Sequence, residues 1–116
     1  MENVIEEKSF RFSIRIVKLY KHLSAVKGEF VLSKQLLRAG TSIGANVAEA
    51  QQAQSKADFT SKTAIALKET TETKYWIRLL HAPEYLSNAE YHSILSDCIE
   101  IEKLLTSIVK TSKSAP

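Results

Sequence analysis

The chain reads as all-α, an antiparallel up-down-up-down four-helix bundle. Three observations predict this. Apolar residues recur at helical spacing over long stretches, and the strict alternation of a half-buried strand is absent. Two capping boxes, Ser55-Lys56-Ala57-Asp58 and Ser87-Asn88-Ala89-Glu90, open two of those stretches. Only 3 Gly and 2 Pro punctuate the chain, so connections are short and helices that follow one another should lie antiparallel.

Helix one covers about residues 5–25, and Gly28 marks its exit. At about 100° per residue, Phe10, Phe12, Ile16, Val17, Leu19, Tyr20 and Leu23 fill about half its circumference, and Ile14 widens the arc. The polar arc left over is narrow and mostly basic: Lys8, Arg11, Arg15, Lys18 and His22.

Helix two covers about residues 32–53, with Ser33 placed to cap it. Leu32, Leu36, Ile43, Val47 and Ala50 form its apolar face, and Gly40, Gly44 and Ala48 form an adjoining small-residue face. A glycine inside a helix costs about 1 kcal/mol against alanine. Two such glycines predict that another backbone comes close.

Helix three covers about residues 56–82, where Pro83 stops it. Its seam of Phe59, Thr63, Ala66, Thr70, Thr73 and Ile77 is mostly small and predicts close pairing with the small face of helix two. Helix four covers about residues 88–111. Tyr91, Ile94, Leu95, Cys98, Ile101, Leu105 and Ile108 belong to its broad apolar arc, and the tail from Ser112 to Pro116 should fray.

A bundle helix needs an apolar stripe of about 100–140°. Helices one and four carry more, and self-association is the simplest cover for the surplus.

A chain of 116 residues fits one domain, residues 1–116, with a modest core. No run of about 18 apolar residues exists, so no membrane partner is expected. The acidic start from Met1 to Lys8 lacks the marks of a signal peptide. Cys98 is the single cysteine, which excludes a disulfide frame and a multi-cysteine metal site. These features favour the cytoplasm. The net charge of +3 is uneven. Residues 8–38 hold Lys8, Arg11, Arg15, Lys18, Lys21, Lys27, Lys34 and Arg38 against Glu29 alone. Such asymmetry points to a polyanion.

The candidate nucleic-acid contact is therefore Lys8, Arg11, Arg15, Lys18, Lys21 and His22, joined by Lys34 and Arg38. A solvated helix face would read the same way. No aromatic-interleaved basic loop for reading bases stands out, so contact should follow shape or backbone. A second cluster, Gln35, Ser42, Asn46 and Glu49 on helix two with Glu69 and Glu72 on helix three, reads as a structural polar network. Arg38, Lys62 and Arg78 are its natural countercharges.

A metal-dependent carboxylate site on Glu49, Glu69 and Glu72 is a rival reading. No Glu-x-x-His pair occurs, and His22, His81 and His92 stand on separate helices without partners at ligand spacing. No Gly-x-Ser-x-Gly elbow or glycine-rich phosphate loop is present. Cys98 sits on an apolar face as a core residue would. No catalytic residue, metal or cofactor is expected.

Leu32-Ser33-x-Gln35-Leu36-x-Arg38-Ala39-x-Thr41-Ser42-Ile43-x-Ala45-Asn46-Val47-Ala48-Glu49-Ala50 resembles the signature of the bundle proteins called 23S rRNA intervening-sequence proteins. Asp58-Phe59, Ala64-Ile65-Ala66-Leu67-Lys68-Glu69 and Glu72-Thr73-x-Tyr75-Trp76-Ile77 continue it. Ala50 departs from the pattern, where glycine is common.

The resemblance implies a bacterial, cytoplasmic protein without enzymatic activity that assembles into rings of five. It also implies kinship with the accessory variability determinant of diversity-generating retroelements, a basic ring associated with nucleic acid and a reverse transcriptase. The expected function is a non-enzymatic, ring-forming bundle, a homopentamer binding RNA or DNA through helix one. The expected partners are further copies of the chain, RNA or DNA, and a protein such as a reverse transcriptase; the alternative is a protein-interaction scaffold with no nucleic-acid role.

Overall fold

The computed structural model describes residues 3–114. They form α1 (Val4–Ala25), α2 (Leu32–Ala50), α3 (Lys56–His81) and α4 (Asn88–Ser114). The expectations for Met1, Glu2, Ala115 and Pro116 fall outside the described residues.

Local chemistry sets the ends. Asn3 caps α1 by accepting from the Glu6 N–H at 3.2 Å. Ser33 does not cap α2; it already lies inside the helix, and Val31 holds the N-cap position without a side-chain bond. The cap is the Glu29 carboxylate, which accepts from the N–H groups of Val31, Leu32 and Ser33 at 3.2, 3.1 and 2.7 Å. The Ser33 hydroxyl donates back to the Glu29 carbonyl at 2.7 Å. Burial pushes the Glu29 carboxyl up, but the N–H bonds, led by Ser33, outweigh it and hold it below its ordinary value.

α2 stops at Ala50, short of the predicted Ala53. The N–H groups of Gln52 and Ala53 reach back only three residues, to Glu49 and Ala50, which tightens the last turn. Ser55 then becomes extended (φ −154°, ψ 165°) and caps α3 by accepting from the Asp58 N–H.

α3 closes in a Schellman turn. Tyr85 N–H donates to the Leu80 carbonyl and Glu84 N–H to that of His81, while Glu84 adopts a left-handed φ of 67°. Ser87 and Glu90 form the reciprocal box that opens the α4 region: Ser87 N–H donates to Glu90 Oε1, and Glu90 N–H to Ser87 Oγ. α4 continues to Ser114 rather than fraying at Ser112. Val109 is buried, and the Ser112 hydroxyl bonds that of Thr60 on α3.

Pairs between neighbouring helices run in opposite sense, as antiparallel neighbours require. Arg38 meets Glu72 and Glu49 meets Lys62 across α2 and α3. Lys8 meets Glu100 and Arg15 meets Asp97 across α1 and α4. Among the described residues the backbone of α1 comes close to those of α2 and α4 but not α3, and α2 does not come close to α4, so α1 and α3 are diagonal. Phe12, Ile16, Leu23, Leu36, Ile43, Ile77, Leu80, Ile101 and Leu105 fill the centre.

The close approach predicted at the glycines is present, but its partner is α1. A Cβ on Gly40 would stand 2.8 Å from Ile16 Cγ1, and one on Gly44 would stand 3.1 Å from the Ser9 carbonyl oxygen. The small seam of α3 faces the interior, with Thr63, Ala66, Thr70 and Thr73 buried.

The apolar surplus also falls differently from expectation. α4 covers its arc, leaving Leu95, Leu104 and Ile108 half-buried against the core. The exposed large apolar side chains lie on α1, in the α1–α2 turn and on α3. α4 lines two neighbours at once, so its wide arc is used within the bundle.

Candidate nucleic-acid interface

The basic residues of α1 fall along its outer and α4-facing sides. The structure divides the predicted contact residues into two sets. Lys8 pairs with Glu100 at 2.8 Å, Arg11 with Glu7 at 2.6 Å and Arg15 with Asp97 at 2.5 Å. Arg15 also donates to the Ser93 hydroxyl at 2.8 Å. Arg38 pairs with Glu72 and, at 3.6 Å, with Glu69. Among the described residues no ion pair reaches Lys18, Lys21, His22 or Lys34, nor Lys27 in the turn after α1. The pairs of Lys8 and Arg15 could not be read from sequence, because Glu100 and Asp97 lie far along the chain on α4, whereas Arg11 pairs within its own helix and Arg38 meets the carboxylates expected of it.

Between α1 and the start of α4 lies an open cleft of about 580 Å³, lined by Arg15, Lys18, His22, Glu90 and Ser93 among others. Glu90 is held below the ordinary carboxylate value by the Ser87 N–H first, against the opposing effect of burial. The Ser87 hydroxyl and the fields of His22 and Lys27 add to the lowering. The cleft thus mixes three basic side chains with one ionised acid.

The second cluster gathers only in part. Arg38, Glu69 and Glu72 meet across α2 and α3, and Trp76 Nε1–H donates to Glu72 Oε2 at 2.9 Å. Glu69 Oε2 is buried beside Arg38 without a hydrogen bond. Glu49 pairs with Lys62 at 3.2 Å, further along the same seam. Ser42 and Asn46 bond carbonyls of their own helix, those of Arg38 and Ser42. Gln35 is exposed. Sequence reasoning missed Trp76 as the donor that orients Glu72, although its spacing from Glu72 is that of helix neighbours.

Among the described residues no three His, Cys, Asp or Glu side chains are grouped to hold a metal. The Cys98 thiol is buried and pushed up to about 12, first by burial and then by Glu102, so it is a poor nucleophile. Among the described residues no helix is long and apolar enough to cross a membrane.

The model of the 23S rRNA-intervening sequence protein family matches residues 1–107. The chain belongs to that family. It is also similar to a crystal structure from Bacteroides thetaiotaomicron VPI-5482, a protein of unknown function from the S23 ribosomal protein family. Identity is 57%, the match covers 91% of this chain and 98% of that one, and the TM-score is 0.90. No curated protein matches the chain. Membership thus fixes a lineage and a bundle, and leaves function to be argued from surfaces.

Proposed function

We propose that this family member is a non-enzymatic bundle that assembles with copies of itself into a ring and binds RNA or DNA through the cations of α1. One observation carries the assembly. Phe10, Ile14 and Val17 form an outward stripe on α1, 67%, 42% and 36% exposed. Ile65 and Tyr75 stand out from α3, 40% and 53% exposed. α1 and α3 are diagonal, so the two apolar surfaces turn apart. Two different surfaces suit a head-to-tail contact, which closes into a ring when its rotation closes. Five copies is the number the family resemblance implies. A ring repeats Lys18, Lys21, His22 and Lys34 in every copy, and repeated cations build a strong field.

Sedimentation equilibrium at micromolar protein should give a mass of several subunits, and Phe10→Asp should lower it. A clean wild-type monomer would overturn the assembly. For nucleic acid, the readout is the salt dependence of binding to labelled RNA and DNA. Lys18→Glu/Lys21→Glu should weaken binding and flatten the log–log salt slope by about 2. Equal, weak and salt-insensitive signals from both proteins would overturn this part. The internal pairing of Lys8, Arg11, Arg15 and Arg38 favours the scaffold as second reading. An intact oligomer without nucleic-acid affinity is the outcome that would select it.

A further inference from the structure

We propose that the α1–α2 turn is a contact for single-stranded nucleic acid, with Phe30 as a stacking surface and Lys27 and Lys34 as phosphate partners. This rests on the nucleic-acid reading above but moves the specific contact from the flank of α1 to one end of the bundle. Val26, Phe30 and Val31 are 69%, 54% and 73% exposed, an unusual density of large apolar groups for a short turn. They are interleaved with cations: Lys21 before the turn, Lys27 within it and Lys34 just beyond, none reached by an ion pair among the described residues. Glu29 is the only acid between Lys21 and Lys34. Its carboxylate is turned inward onto the first N–H groups of α2, and the residue is 8% exposed. The turn's own solvent side is left apolar and positive, and the acid that faces it from α4 is Glu90, whose carboxyl feels the field of Lys27.

The turn is also held in place. The N–H groups of Val26 and Lys27 donate to the His22 carbonyl at 2.9 and 3.3 Å, and that of Glu29 to the Leu23 carbonyl at 2.9 Å. Gly28 takes the left-handed φ of 67° that the bend requires. Phe30 is thus presented on a fixed base, beside cations that complement a phosphate backbone.

An exposed aromatic ring beside cations is the usual means of holding unpaired bases, whose faces are free to stack. A duplex buries those faces, so Phe30 should discriminate against it. Apolar groups with lysines would also suit an anionic lipid surface. The cations here favour a strand instead. Lys21 and Lys18 continue the positive charge from the turn along α1, with Lys18 at the α1–α4 cleft, an elongated arrangement that suits successive phosphates better than a ring around the tip.

The test uses the full chain with fluorescein-labelled dT20, rU20, a 20-base-pair duplex, and vesicles with and without phosphatidylserine. Wild type should bind the single strands more tightly than the duplex. Phe30→Leu should weaken single-strand binding about tenfold with an unchanged salt slope, Phe30→Tyr should retain it, and neither should alter duplex binding. Lys27→Glu/Lys34→Glu should flatten the salt slope by about 1–2. Each variant's sedimentation and circular dichroism must match wild type, and Phe30→Tyr against Phe30→Leu keeps the comparison within folded proteins. If wild type binds the strands and Phe30→Leu is unchanged, the turn proposal falls while the α1 reading survives. If wild type binds no nucleic acid, both fall. Binding to phosphatidylserine vesicles alone, tolerant of leucine, would assign the turn to a membrane surface and overturn the proposal.

Discussion

α1 is held on its two sides by opposite means. Against α2 the contact is made by backbone geometry. Gly40 and Gly44 carry no side chain, so Ile16 and Ser9 press directly onto the helix. Against α4 the contact is made by reach. Lys8 and Arg15 extend to Glu100 and Asp97, and an open cleft remains between the helices. The first seam leaves no room for adjustment. The second uses flexible charged side chains, about half exposed, whose net contribution in water is small. One seam therefore fixes the fold, whereas the other leaves surface for other uses.

The sharpest way to break this comparison is to add a side chain to the tight seam. A single Cβ at Gly40 already falls 2.8 Å from Ile16, which is fully buried and cannot swing aside into solvent. Gly40→Val should lower stability by about 3 kcal/mol, read from the urea midpoint followed by circular dichroism. An unchanged midpoint would show that α1 and α2 are not locked together there.

This seam also shows how far sequence carries. The two glycines announced a close approach because their cost inside a helix had to be offset. Nothing local said which helix would face the glycines: the small residues of α3 pointed to α2, and those two helices do pair closely, but the glycines themselves meet α1. The four helices were legible because Ser55 with Asp58, and Ser87 with Glu90, are caps that act within four residues. The capping role of Glu29 was missed because a buried glutamate reaching forward into a helix is outside the usual Ser, Thr, Asp and Asn pattern. The basic stripe was visible as a pattern, but the neutralisation of Lys8 and Arg15 was not. Asp97 and Glu100 come beside it only through the closing of α4 onto α1. The exposed Phe30 was passed over for a related reason: it belongs to no helical arc, so periodicity is silent on it.

Glu29 sharpens the comparison at the hairpin joining α1 to α2. Glu29→Ala leaves three N–H groups at the start of α2 without their acceptor and should cost about 1–2 kcal/mol. The acid limb of the stability curve carries a second signature. Its folded carboxyl titrates below the ordinary value of 4.5. Its contribution is therefore present above that value and is lost as pH falls through the lowered folded one. Glu29→Gln should flatten the stability curve in that window. An unaltered acid limb would mean that the carboxylate charge contributes nothing to the cap.

The smallest effect is expected on the open seam. The side chains of Arg15 and Asp97 are 40% and 47% exposed. A double-mutant cycle of Arg15→Ala and Asp97→Ala should give a coupling of about 0.2–1 kcal/mol, shrinking further in about 1 M salt. Ser93 receives the other half of the guanidinium, so Ser93→Ala should alter that coupling only slightly. A coupling above about 2 kcal/mol, insensitive to salt, would mean that the pair is effectively shielded from water. The α4 side of α1 would then be a second rigid seam, and the cleft beside it would be part of the core rather than surface available to a ligand.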